Sequence, residues 1–106
     1  MIEKFEHVTA ETKANVYFDG KVISHTLWLA DGEKRTLGIF MPGASEFGTA
    51  DAEIMDLTDG ECEVQLPGSD EWKFMKAGEA FKVPANSKYG LRCYVPVQYI
   101  CAYVKE

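Results

Sequence analysis

Phe47, Thr49, Glu53 and Tyr89 are the residues of this chain whose types and spacing point to a site. Thr49 follows Phe47 by two residues and precedes Glu53 by four, and Gly60 comes seven after Glu53. Pro84 follows Gly78 by six residues, Asn86 comes two later and Tyr89 three after that. A divalent first-row ion wants imidazole, thiolate or carboxylate ligands. Phenylalanine offers no donor, a threonine hydroxyl is weak, and a tyrosine hydroxyl binds metal mainly when ionised. The histidines, His7 and His25, lie outside both stretches. A ring that stacks, two hydroxyls and a carboxylate suit an organic ligand better than a metal. Glu53 shares strand parity with Met55 and Leu57. If that face points inward, its carboxylate needs a partner or a raised pKa, and it becomes a candidate for binding hydroxyls or for acid–base work. If not, it is a strand-end glutamate in solvent.

The elements that must position these residues are strands. Asp19-Gly20, Asp31-Gly32, Pro42-Gly43, Asp59-Gly60, Pro67-Gly68, Ala77-Gly78 and Pro84-Ala85-Asn86 punctuate short runs rich in Val, Ile, Tyr, Phe and Thr. That spacing predicts an all-β sandwich or barrel. Cys62, Val64 and Leu66 alternate with polar neighbours, and so do Tyr89, Leu91, Cys93 and Val95. Period two is the mark of half-buried strands. A helical turn is expected only near Thr9 to Ala14. Ser24 and His25 adjoin on a strand and so face opposite ways; they do not form a hydrolytic pair. Exposed sheet edges must be closed or covered, and Val16-Tyr17-Phe18 and Tyr99 to Val104 are candidate contacts with a second copy of the chain or, equally, plain core strands.

At 106 residues the chain is expected to form one domain over 1–106 with one core. Its net charge of −6 opposes binding to nucleic-acid phosphates or anionic membranes. No run approaches the roughly 20 apolar residues of a membrane span. The start, MIEKFEHVTAE, is polar and acidic, unlike a secretory signal. Cys62, Cys93 and Cys101 lack CxxC spacing and sit in strand-like runs, which suits buried thiols in a reducing cytoplasm.

The stretches from Gly38 to Gly60 and from Gly78 to Cys93 resemble the two cupin motifs. Phe47 and Thr49 stand in the slots of the paired histidines, Glu53 in the carboxylate slot and Tyr89 in that of the last histidine. Asn86 replaces a glycine, and both tolerate left-handed backbone angles. The resemblance implies a single-domain, all-β cupin barrel whose usual metal ligands are missing. A metal-dependent cupin oxygenase or isomerase is disfavoured for that reason.

A closer resemblance spans nearly the whole chain. Asn15 to Val22, Thr36-Leu37-Gly38-Ile39, Phe47-Gly48-Thr49, Leu66-Pro67-Gly68, Trp72, Phe81 to Ser87 and Tyr99 to Tyr103 look like the small pyrimidine/purine nucleoside phosphorylase family. The resemblance implies a metal-free enzyme that splits several ribonucleosides with phosphate into free base and ribose 1-phosphate. No cofactor is then expected; inorganic phosphate is a co-substrate and nucleosides are the partners. The family carries no catalytic assignment over to particular residues.

Phosphorolysis needs a held anion, an oriented ribose and a stabilised leaving base. Phe47 and Tyr89 suit a tolerant base site, or else belong to the core. Thr49 suits phosphate or a ribose hydroxyl, or else is an ordinary strand threonine. Glu53 suits ribose hydroxyls. For phosphate, Lys82, Lys88 and Arg92 have the parity of solvent-facing residues, whereas Arg35 and Lys21 adjoin turns from which a pocket mouth is within reach. Backbone amides near Gly48 are another phosphate partner. The rival reading is a non-catalytic cupin that binds a small sugar or nucleotide. Base release is expected to be equal before and after exhaustive chelation; a loss restored by a divalent ion would reverse the metal-free reading.

Overall fold

The computed structural model describes residues 1–104, so the last two positions of the expected domain lie outside the described residues. The strands are β1 (Thr9–Ala10), β2 (Asn15–Tyr17), β3 (Val22–Trp28), β4 (Lys34–Phe40), β5 (Gly43–Gly48), β6 (Ala52–Asp59), β7 (Glu61–Gln65), β8 (Lys73–Lys76), β9 (Ala80–Val83), β10 (Lys88–Cys93) and β11 (Val97–Val104). They form two sheets. One has the order β1-β3-β4-β11-β6-β9, with β2 also paired to β3; the other has the order β5-β10-β7-β8. The expected all-β architecture is present. No described helix is long and apolar enough to cross a membrane.

The expected helical turn near Thr9 to Ala14 is not formed. Thr9 and Ala10 instead pair with Trp28 and Leu27 on β3, because an open strand edge offers backbone partners that an isolated turn lacks. The one described helical turn is a 3-10 turn at Phe18–Gly20. Val95, expected to continue the buried alternation of β10, lies past the end of that strand and is exposed. Tyr99 to Val104 lies in β11, which is paired on both sides, to β4 and to β6. That run therefore presents no free edge to a partner.

Side chains facing inward from the larger sheet fall into cross-strand rungs. The innermost joins Val22, Phe40 and Val97, all buried. The next joins Ser24, Gly38, Tyr99 and Leu57. Gly38 is required there, since a Cβ on it would occupy the space of the Tyr99 ring. A third rung joins Thr26, Thr36, Cys101, Met55 and Phe81. A fourth joins Tyr103, Glu53 and Val83. Along β11 the inward positions thus run Val97, Tyr99, Cys101, Tyr103, from apolar to polar.

The smaller sheet closes over this face. Phe47 and Tyr89 are cross-strand partners on β5 and β10, and Phe40 meets Phe47 with ring centroids 5.2 Å apart. Cys62, Val64, Leu91 and Cys93 complete the core beneath them. The three cysteines are free and buried. On the outer side of β10, Arg92 is not simply solvated: it pairs with Glu63 at 2.9 Å and lies 4.0 Å over the Trp72 ring.

Thr49 ties the loop before β6 to the loop before β10. Its hydroxyl donates to the Pro84 carbonyl at 2.7 Å and accepts from the Ser87 amide at 3.0 Å. Its own amide donates to the Ser87 carbonyl at 2.9 Å. Removing the hydroxyl leaves the partly buried Ser87 amide and Pro84 carbonyl without this partner, which costs about 1 kcal/mol. Thr49→Val is therefore expected to lower stability by about that amount in denaturant unfolding, and an unchanged midpoint would count against this brace.

Candidate active site

A cavity of about 350 Å³ opens between the two sheets, at the polar end of the rungs. Its liners come from three sources. β3 and β4 supply hydroxyls, β11 and β6 supply Tyr103, Cys101 and Glu53, and the aromatic rings come from β5, β10 and the 3-10 turn. The sheet pleat accounts for this, since every second residue of each strand faces inward.

The hydroxyl wall is connected. Asn15 Nδ2 donates to Ser24 Oγ and to Thr26 Oγ1, both at 3.3 Å. The Thr36 and Tyr103 hydroxyls are 3.2 Å apart. Ser24, Thr26 and Thr36 are buried among protein atoms yet line the cavity. Side chains of this polarity belong against water or a polar ligand rather than in a dry core.

The opposite wall is aromatic. Phe47 sits at the centre of a ring cluster, 5.2 Å from Phe18, 5.2 Å from Phe40 and 5.4 Å from Tyr89. Phe18 and Asp19 have φ of 52° and 55°. Left-handed angles suit the tight hairpin between β2 and β3, but a bulky phenylalanine adopts them at a cost. The turn aims this partly exposed ring at the cavity. No described residue hydrogen-bonds the Tyr89 hydroxyl, and it is not a sealed-off buried atom, so it is available to a ligand. Burial holds the Tyr89 pKa well above the ordinary value, and the nearby Glu53 charge adds to this. The group therefore stays an O–H donor at neutral pH.

Glu53 lies half-buried between these walls. Burial raises its pKa above the ordinary 4.5. A hydrogen bond from the Cys101 thiol opposes this, Asp51 adds to it, and Lys34 opposes it. The Cys101 thiol is in turn pushed up to about 12, first by burial and then by Glu53. It is inert rather than nucleophilic.

Of the residues singled out from the sequence, Glu53, Phe47 and Tyr89 meet in this one cavity. Thr49 does not line it, because its hydroxyl is engaged by Pro84 and Ser87. Arg35 does not line it either. It faces outward, pairs with Glu33 at 3.1 Å and donates to the Lys34 carbonyl at 3.0 Å. Lys21 packs against Gly43, away from this cavity. The cation that does line it is Lys34, one residue from Arg35 and therefore on the other face. Parity with Thr36 and Phe40 would have found Lys34 in the sequence. The same alternation in Tyr99, Cys101 and Tyr103 would have found the β11 liners. Asn15 carried no signal of its own.

Among the described residues no three His, Cys, Asp or Glu side chains converge as a metal site would require. The two-sheet barrel is a cupin-type fold: a cupin from Shewanella frigidimarina superposes with a TM-score of 0.69 at 18% identity, covering 94% of this chain and 86% of that one. A protein of unknown function from Acinetobacter superposes more closely, with a TM-score of 0.93 at 39% identity over 95% of this chain and 98% of that chain. Residues 12–103 match the pyrimidine/purine nucleoside phosphorylase family. The chain is 54% identical to the pyrimidine/purine nucleoside phosphorylase of Delftia acidovorans over 101 residues, 95% of this chain and 96% of that protein. It is 50% identical to that of Hydrogenovibrio crunogenus over 103 residues, 97% of this chain and 99% of the relative. The chain belongs to the pyrimidine/purine nucleoside phosphorylase family.

A raised folded-state pKa means that the native protein holds the Glu53 proton more tightly than the unfolded chain does. Stability from this group is then present at acid pH and declines as pH rises from 4.5 through the raised value. Glu53→Gln keeps the shape without the charge. It is expected to melt no lower than wild type near neutral pH and to lose the Glu53 part of the pH dependence between about pH 4 and pH 7. Parallel melting curves for the two proteins across that range would remove the burial argument.

Proposed function

We propose that the protein transfers a ribosyl group from nucleosides to inorganic phosphate, with tolerance for purine and pyrimidine bases. Family membership at about half identity over nearly the full length supports the activity. The observation that carries the residue assignment is the shared cavity, in which Glu53 stands between an aromatic wall and a hydroxyl wall.

In this reading the base stacks within the Phe47 and Tyr89 cluster. Stacking accepts any base, since each has a π-face, so breadth follows from recognition by rings rather than by hydrogen-bond patterns. The Tyr89 hydroxyl donates to the base and stabilises charge that develops there. Glu53 accepts hydrogen bonds from ribose hydroxyls and fixes the sugar. A phosphate oxygen forms a bond to the anomeric carbon as the carbon–nitrogen bond breaks. The bonding pair leaves on the base nitrogen, and the proton brought by hydrogenphosphate ends on that nitrogen. No further reactant is needed. Positioning and a preorganised field supply the rate.

The nucleoside and phosphate are the small-molecule partners. The three unpaired thiols support action in a reducing cytoplasm. A homodimer is supported by the outer face of the larger sheet, where Ile23, Leu37 and Ile39 are left exposed.

Purified protein is expected to release base from uridine and from adenosine only when phosphate is present, with ribose 1-phosphate formed in equal amount. Release at the same rate without phosphate would indicate hydrolysis and defeat the proposal. Glu53→Gln is expected to reduce turnover by at least about tenfold while the protein stays folded. Unchanged kinetics would take Glu53 out of the site.

A further inference from the structure

We propose that Lys34 is the phosphate anchor, acting together with the paired hydroxyls of Thr36 and Tyr103. This rests on the phosphorolytic reading above and assigns it a binding subsite. Lys34 is the only cation among the described residues that line the cavity. It has no carboxylate within ion-pairing distance among the described residues, although Arg35, Lys88 and Arg92 each have one. Its ammonium instead rests over the Tyr103 ring, 4.8 Å from the centroid. A lysine held against an aromatic face at a cavity wall keeps its three donors largely unspent.

The hydroxyl pair beside it adds a donor. Thr36 Oγ1 and the Tyr103 hydroxyl lie 3.2 Å apart and share one hydrogen bond. Two hydroxyls carry two protons, so one is left over from that bond; it lies beside the Cys101 thiol, a weak acceptor that an anion outcompetes. Burial raises the Tyr103 pKa, so the phenol stays protonated. Thr36 and Lys34 are two residues apart on β4 and face the same way.

The order of groups fits a displacement. Glu53 is the cross-strand partner of Tyr103, over whose ring the Lys34 ammonium rests, whereas Phe47 and Tyr89 reach the same cavity from the other sheet. A ribose at Glu53 then has its base toward Phe47 and Tyr89 and its incoming phosphate toward Lys34. Bond making and bond breaking at the anomeric carbon need those two positions on opposite faces of the sugar. Two carboxylates bear on the anion. Glu53 opposes it unless ribose hydroxyls engage that group, so phosphate should bind better after the nucleoside. Glu46 lines the cavity too, but is partly neutralised by Lys88 at 3.8 Å.

The test compares Lys34→Ala, Lys34→Arg and the outward-facing control Lys82→Ala. In Lys34→Ala the KM for phosphate is expected to rise by at least about tenfold, while nucleoside binding measured without phosphate and the melting temperature stay near wild type. Lys34→Arg should recover most of the loss, and Lys82→Ala should match wild type. An unchanged phosphate KM in Lys34→Ala overturns the assignment, as does an equal loss of nucleoside binding. Inorganic phosphate alone gives a second readout that does not depend on turnover: it should raise the melting temperature of wild type and Lys82→Ala but not of Lys34→Ala. If wild type shows that shift without releasing base, the phosphorolytic reading fails and the anion site stands. If phosphate stabilises wild type and Lys34→Ala alike, the anion site fails.

Discussion

The structure depends on β11 being paired along both edges, to β4 and to β6. That pairing places Val97, Tyr99, Cys101 and Tyr103 in a column down the middle of the inner face. A small two-sheet barrel has an interior only about as wide as its side chains. It can be filled at one end and left open at the other only if the column changes character along its length. Here it does. Val97 is sealed among Val22 and Phe40, Tyr99 fills the space that Gly38 vacates, and the column ends in groups that carry hydroxyl, thiol and charge.

The polar end stays compatible with a folded protein because its groups answer one another. Asn15 serves Ser24 and Thr26, Thr36 serves Tyr103, and Glu53 is set against Cys101 and Lys34. No buried side-chain polar atom among the described residues lacks a partner. The remaining capacity sits where a ligand can reach it: the Tyr89 hydroxyl, the Lys34 ammonium and the half-buried carboxylate of Glu53. The left-handed backbone at Phe18 fits the same pattern. A local turn preference yields so that an aromatic ring can face the cavity.

The cupin motifs could be read in the sequence because their turns demand particular residues at fixed intervals, and the all-β class followed from the same punctuation. Alternation set Glu53 on one face with Met55 and Leu57 and Tyr89 with Leu91 and Cys93, and Phe47 was marked by its cupin slot. Thr49 could not be separated from them, since an inward hydroxyl looks the same whether it meets a ligand or a neighbouring loop. Its partners, the Pro84 carbonyl and the Ser87 amide, lie 35 and 38 residues away. Arg35 misses the cavity for a different reason: it is out of phase with Thr36 and Phe40, and nearness to a turn does not decide which way a strand residue points.

The family, the all-β class and the loss of the cupin histidines are legible in the chain before it folds, because each is a matter of residue type at a fixed spacing. Which hydroxyl is consumed as a brace, which aromatic rings form the cavity wall and how Lys34, Tyr103 and Glu53 come together are set by the tertiary fold. Those outcomes depend on strands distant in the chain, such as β4, β6 and β11, meeting in one register. A shift of one residue in β4 would exchange Lys34 for Arg35, and one in β6 would turn Glu53 to the outside.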